Sequence, residues 1–359
     1  YGSRTIAMVR NNKEELNRNF SEILSIHIIF SIIVIFVYLV LLFFFVEDNL
    51  VIFLIQSIYV FAAVFDINWF FFGIEKFKLT VGRNTLVKIL SVFLVLVFVK
   101  TQTDLWIYAL ILALSVFVGQ SVVWFALKQY VSWRRPSWAN MKQHIRPLFV
   151  LFLPILALSL YKYMDKIMLG SISSNVQVGF YENAEKIINV PMSLIMAFGV
   201  VLMPRIANMV TSKDKGEVFK LIDMSMEAVM LLAIAISFGL AGISFVLAPI
   251  FFGYEFEECG ILIMGLAVTV PFMAFANVIR TQYLIPYKED KIFVVSLFLG
   301  AAVNLIVNII LIPYMAARGA VIGTIFAEII VCIYQSYFVR KKIFIKKYLL
   351  NTIPPILIG

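Results

Sequence analysis

Between Leu24 and Phe45 the chain reads LSIHIIFSIIVIFVYLVLLFFF, twenty-two residues without one Asp, Glu, Lys or Arg. A bilayer core roughly 30 Å thick is crossed by about 20 residues of helix. Inside hydrocarbon every backbone N–H and C=O needs a partner, so a run of this length is a helix with its hydrogen bonds closed internally. Further apolar runs lie near 50–72, 86–99, 105–127, 148–172, 180–203, 225–251, 261–284, 292–313 and 319–338, the third of them short, and an eleventh begins at Leu349. The expected fold class is an all-α polytopic membrane protein. Composition agrees: 62% of the 359 residues are hydrophobic and 14% charged, against about half and about a quarter in soluble domains.

Lys and Arg set the orientation of such spans. The start of the chain and the loops after the second, fourth, sixth, eighth and tenth runs hold 24 of the 30 Lys and Arg residues, counting Lys88 with its loop. The opposite loops hold only Lys100 and Arg318, and one of them, FGYEFEE (252–258), is acidic. The first set is therefore cytoplasmic. The net charge of +9 is explained by topology, and nucleic acid is not an expected partner. Two readings fit the patch WRRPSWANMKQHIR (133–146): a segment lying along the inner leaflet, or a solvated linker between two halves.

An internal repeat organises the chain. RTIAMV (4–9) precedes the first span and RIANMV (205–210) the seventh, an offset of 201 residues, and the charged KEE and KGE that follow keep the offset within one gap. GIEKFK (73–78) after the second span matches IPYKEDK (285–291) after the eighth. Each pair falls on the same side, so the halves are parallel repeats about an axis along the membrane normal. Spans one to four then match seven to ten, and the partners of five and six are expected upstream of Tyr1. The expected organisation is an N-terminal lobe lacking its first two helices (1–127), a basic cytoplasmic linker (128–147), a C-terminal lobe (148–339), and a basic loop opening an extra helix (340–359). A bundle of six plus six helices with a C-terminal appendage would fit this pattern.

A charge at mid-bilayer costs about 2.5–3.5 kcal/mol on insertion scales, so it normally meets a partner or water. In the fifth span Ser159, Lys162, Asp165, Lys166 and Leu169 share one helix face. Asp165 lies 17 residues past Leu148, roughly 26 Å along a helix of ~1.5 Å rise, in the outer third. Lys162 there either faces a cavity or snorkels outward in an interfacial ion pair. The sixth span opens with Glu182, Glu185, Lys186 and Asn189 on one face. Asp66 sits deep in the second span with Gln56, Tyr59 and Ala63, and Arg280 nears the inner end of the eighth beside Asn277 and Thr281. The ninth carries the ridge Ser296, Gly300, Asn304 and Asn308, and the tenth Thr324 and Glu328. Small and amide residues at this spacing serve either as packing contacts or as a site.

Cations Lys162, Lys166, Lys186 and Arg280 suit a phosphate-bearing substrate. Carboxylates Asp66, Asp165, Glu182, Glu185 and Glu328 would balance them or take up Na+ or H+. Asp165 with Asn304, Asn308 and Thr324 would form an oxygen set for a hard cation if the fifth, ninth and tenth spans converge. No catalytic set is visible. Cys259 and Cys332 form no framework, His27 and His144 stand far apart, and neither zinc-ligand spacing nor a glycine-rich phosphate loop occurs. An enzyme and a resident cofactor are therefore not expected, and energy would come from an ion gradient, the membrane potential, a partner or the substrate's own gradient.

DKIMLGSISSNVQVGFYENAEKI (165–187), followed by VLMPRIANM (201–209), resembles the Wzx-type polysaccharide flippases, relatives of the MATE exporters and MurJ. YGSRTIA (1–7), GIEKFKLTVGRN (73–84) and AAVNLIVNIILIP (301–313) resemble the same family. The resemblance implies two six-helix lobes around a cationic cavity. It implies export of an undecaprenyl-pyrophosphate-linked oligosaccharide across the bacterial cytoplasmic (inner) membrane by alternating access, for O-antigen or capsule assembly. Polysaccharide polymerase and glycosyltransferases would be neighbours. A MATE-like exporter on the same scaffold should favour an acidic cavity, and a membrane enzyme of polysaccharide assembly should carry large external loops.

Overall fold

The computed structural model describes residues 1–46, 49–211 and 215–343, and among these it is helical without strands. Its contacts divide the chain into two compact units, Tyr1–Phe152 and Leu153–Gly359. The first holds α1 (Gly2–Val9), α2 (Lys13–Phe45), α3 (Leu50–Val64), α4 (Asn68–Gly73), α5 (Phe77–Phe98), α6 (Leu105–Leu127) and the start of α7 (Trp138–Ile172). The second holds the rest of α7, then α8 (Asn175–Thr211), α9 (Lys215–Phe252), α10 (Cys259–Ala267), α11 (Thr269–Ile279), α12 (Asp290–Met315) and α13 (Ala317–Val339). A π turn, Arg280–Leu284, continues α11.

Among the described residues eight helices are long and apolar enough to cross a membrane, or nine when the α10–α11 pair, bent by 40°, is taken as one span. The chain is a multi-pass membrane protein. Lipid-facing surface inverts the usual burial rule: Phe93 and Leu96 of α5 are 60% and 65% exposed. The start of α2 is locally encoded. Asn12 caps α2 by accepting from the Glu14 and Glu15 N–H groups, satisfying donors that have no intrahelical partner. The eleventh run expected from Leu349 lies outside the described residues.

Two expectations about the first unit are corrected. The third span starts at Phe77, not 86. Its polar first turns are tolerated because both terminal nitrogens of the Arg83 guanidinium are hydrogen-bonded within the protein. The second span is not continuous: α3 ends at Val64 and α4 begins at Asn68. Asp66 therefore stands in a helix break and not on the face of Gln56, Tyr59 and Ala63. The freed backbone groups find partners from three directions. His27 Nε2 lies 2.8 Å from Ala63 O, Trp124 Nε1 donates to Phe65 O at 2.9 Å, and Asp66 Oδ1 accepts from the Asn68 N–H at 3.0 Å.

Arg83 staples the far side of that break. Its Nη1 donates to Gly119 O (2.8 Å) and Gln120 Oε1 (3.4 Å), and its Nη2 to Asn68 Oδ1 (3.0 Å) and Asn84 Oδ1 (2.6 Å). One guanidinium thus ties α4, α5 and α6. Arg83→Met should leave those acceptors short of donors and lower stability by about 2–3 kcal/mol, read as a fall in the thermal unfolding midpoint of the detergent-solubilised protein.

Candidate functional site

Two polar clusters occupy the second unit. The upper one is built on Asp165 of α7, which is 5% exposed. Its Oδ1 accepts from Asn304 Nδ2 at 2.9 Å and Asn308 Nδ2 at 2.6 Å. Its Oδ2 accepts from Tyr181 OH at 3.0 Å and lies 3.2 Å from Thr324 Oγ1. The Thr324 hydroxyl has one proton to share among Asp165, Tyr181 at 2.8 Å and Ala320 O at 3.0 Å. Three helices (α8, α12 and α13) thereby aim at one carboxylate carried by a fourth, α7. Asn308 adds a bond to Asn304 Oδ1 at 3.0 Å, while its own Oδ1 is buried without a partner.

This knot follows from i, i+4 spacing. Asn304 and Asn308 stand one turn apart on α12, so their amides reach the same carboxylate. Gly323 of α13 supplies the room: a Cβ there would come within 2.2 Å of Asn308 Oδ1. Asp165 is met by the NH2 groups of two side-chain amides and by two hydroxyls, and the Ala320 carbonyl lies behind Thr324; with the amides turned about, their oxygens would join the carboxylate. That donor set is the kind a hard cation takes, and a carboxylate among neutral donors equally holds a proton.

The lower cluster lies one turn along the same helices. Tyr161, four residues before Asp165, donates to Glu328 Oε1 at 2.6 Å, and Glu328 lies four residues beyond Thr324. Across a cavity of about 130 Å³, Arg280 stands at the head of the π turn. Its Nη2 donates to Asn277 Oδ1 at 2.7 Å, and its guanidinium lies 5.4 Å from the Phe293 ring centroid. Tyr161, Asn277, Arg280, Glu328 and Gln335 are the polar lining of the cavity. No carboxylate lies within 4.0 Å of Arg280 among the described residues.

The structure thus brings Asp165, Asn304, Asn308 and Thr324 together, and sets Arg280 and Glu328 around one cavity. It does not gather the lysines. Lys166 pairs with Glu185 at 2.8 Å, and Lys186 with Glu182 at 3.3 Å on the exposed side of α8. Lys162 is exposed, with its Nζ 5.5 Å from the Tyr163 ring. Asp66 belongs to the first unit. Sequence reasoning missed Tyr181 and Tyr161 because each counts as apolar in a hydropathy run. The signal available for Tyr161 was its place one turn before Asp165.

A family model described as "Polysaccharide biosynthesis protein" matches residues 2–210, more than half of the chain. The chain belongs to that family. Over 339 residues this family member is 24% identical to a putative O-antigen transporter of Shigella dysenteriae, covering 90% of the chain and 82% of the relative. It is 27% identical over 223 residues to the lipid II flippase MurJ of Bacillus subtilis, covering 57% of the chain but only 41% of the relative. A solved MurJ structure in an inward closed conformation superposes with a TM-score of 0.80 at 15% identity, covering 99% of this chain and 80% of that one. An outward-facing MATE family transporter of the MOP superfamily superposes at 0.58 and 15% identity, covering 96% and 83%. The fold is the one shared by MurJ and the MATE transporters, as the Wzx-type motifs implied.

Proposed function

We propose that this polysaccharide biosynthesis family member is a flippase for a lipid-linked glycan, carrying an undecaprenyl-pyrophosphate-linked oligosaccharide from the inner to the outer leaflet of a bacterial cytoplasmic membrane by alternating access. O-antigen, capsule or a related polysaccharide would be the product, with the polymerase and glycosyltransferases of that assembly acting before and after it. The observation that carries the reading is the family match over residues 2–210 together with a relative named as an O-antigen transporter along 82% of its length.

Physical chemistry states the task. A pyrophosphate and a sugar chain do not enter hydrocarbon about 30 Å thick without a polar route. In this reading Arg280 offers charge-assisted hydrogen bonds to a phosphate oxygen, and Glu328 balances its charge when the headgroup is absent. Lys166 and Lys186 act only after exchanging Glu185 and Glu182 for phosphate, and Lys162 is available without such an exchange. Asp165 is the coupling group: with Na+ or H+ bound its charge is cancelled, and rotation of the Asn304 and Asn308 amides would present their oxygens to a cation. Asp66 contributes to charge balance in the first unit.

The test is surface display of polysaccharide in a strain lacking its own transporter and expressing the full-length protein. Wild type should restore display. Lys162→Ala and Lys166→Ala should reduce it at unchanged protein level. Normal display in both would assign those lysines to the membrane interface, and failure of wild type to restore any glycan would remove the reading itself.

A further inference from the structure

One buried pair belongs to neither cluster. In the first unit His144 of α7 and Glu22 of α2 are 3% and 1% exposed. His144 Nε2 lies 2.9 Å from Glu22 Oε2, and its Nδ1 lies 2.5 Å from Tyr1 OH. One shared proton joins the carboxyl and the ring nitrogen. The same face of α2 grips the backbone just before α7. Asn17 Oδ1 accepts from the Ser132 N–H and Ser21 Oγ from the Arg134 N–H, each at 2.9 Å.

With one side pinned, the other side of this segment is turned outward. Trp133 and Trp138 are 56% and 58% exposed, and Lys128, Arg134, Arg135, Lys142 and Arg146 are exposed as well. Residues 128–146 contain these five cations and no Asp or Glu, and none of the five has an ion pair among the described residues. On α7, Trp138, Lys142 and Arg146 follow i, i+4, i+8 spacing and share a face, whereas the buried Met141 and His144 occupy another.

The surroundings fix the depth. Phe125, at the end of α6, is 82% exposed, and Phe149 and Val150 of α7 are 51% and 60% exposed. Lipid-facing surface therefore begins within a few residues on both sides, and the segment runs at headgroup level on the cytoplasmic side. We propose that this outward face is a binding surface for the anionic phospholipid headgroups of the inner leaflet. Arg134 and Arg135 take phosphate oxygens, Lys142 and Arg146 extend the positive strip, and the two indoles fill the boundary between headgroup and acyl chain. The Glu22–His144 pair holds the face at its height. Two exposed tryptophans beside the guanidiniums favour a lipid over a soluble acidic partner, which would meet only the charges.

The test titrates the full-length protein in maltoside micelles with dioleoylphosphatidylglycerol, dioleoylphosphatidylcholine, inorganic phosphate or polyglutamate. Retained lipid is read by native mass spectrometry, the other two ligands by thermal shift. Phosphatidylglycerol should be retained and raise the unfolding midpoint, and the other three should do neither. Arg134→Gln with Arg135→Gln should weaken that retention roughly thirty-fold, as the loss of two basic residues at a charged surface implies, with the lipid-free midpoint unchanged. Trp133→Ala with Trp138→Ala should weaken it as well. Equal retention of phosphatidylcholine, or of phosphatidylglycerol by the arginine variant, would overturn the proposal. Stabilisation by phosphate alone would make this a free-anion site, and polyglutamate binding that ignores the tryptophans would assign the face to a soluble partner; either result also overturns it.

Discussion

Asp165→Asn is expected to stop ion-dependent transport while the protein stays folded, whereas Asp165→Ala is expected to destabilise the fold. The difference follows from the donors around the carboxylate. An amide at 165 keeps one oxygen for Asn304 and Asn308, and its NH2 turns toward Tyr181 and Thr324. Those two are hydroxyls, which accept as readily as they donate. The exchange loses the charge and some hydrogen-bond strength, about 1 kcal/mol in all. Alanine offers nothing: two amide donors and the Tyr181 hydroxyl, all buried, lose their acceptor at once, at about 2–4 kcal/mol. Thermal unfolding in detergent separates the two variants, and the dependence of polysaccharide display on the Na+ or proton gradient reads the function. Transport by the Asn variant that still tracks the gradient would put the coupling group elsewhere.

Gly323→Ala should damage the same site from behind, by steric means alone. The added methyl would lie 2.2 Å from Asn308 Oδ1. A free amide would swing away at little cost. Asn308 is fully buried and tied by its Nδ2 to Asp165 and Asn304, so relief requires breaking the 2.6 Å bond to Asp165 or moving α13. About 1–3 kcal/mol of overpacking is expected, with activity lost in parallel. Gly179→Ala is the control: it lies on α8, nothing stands within 4 Å of its added Cβ, and Ala in a helix interior should stabilise by about 0.5–1 kcal/mol. Equal behaviour of the two variants would mean that the Asp165 knot is looser than its distances imply.

How much of this was legible in the sequence depends on the kind of residue. Asn304, Asn308, Thr324 and Asp165 could be singled out because each is a polar side chain on an apolar helix, where burial demands a partner, and helical spacing supplied the shared face. Tyr181 and Tyr161 escaped because a tyrosine carries its hydroxyl on an apolar ring and leaves no dent in a hydropathy run. The break at Phe65–Ile67 escaped because no Gly or Pro marks it. What makes it affordable are His27, Trp124 and Arg83 on three other helices, and sequence spacing does not report such neighbours. For the same reason Glu22 gave no signal: its partner is 122 residues away. The lysines mark the limit in the other direction. Charge alone grouped Lys166 and Lys186 with Arg280, but Glu185 and Glu182 lie within reach of them on α8, while among the described residues Arg280 meets an amide and a ring.

The most direct measurement is headgroup translocation by the purified full-length protein in liposomes. A lipid-linked oligosaccharide is loaded in both leaflets, and its exposure to an impermeant glycosidase is followed with time under an imposed ion gradient. Wild type is predicted to make the protected fraction accessible, and Arg280→Gln to leave it protected with the fold intact. A wild-type protein that leaves the glycan protected yet moves an organic cation across the same liposomes would contradict the account.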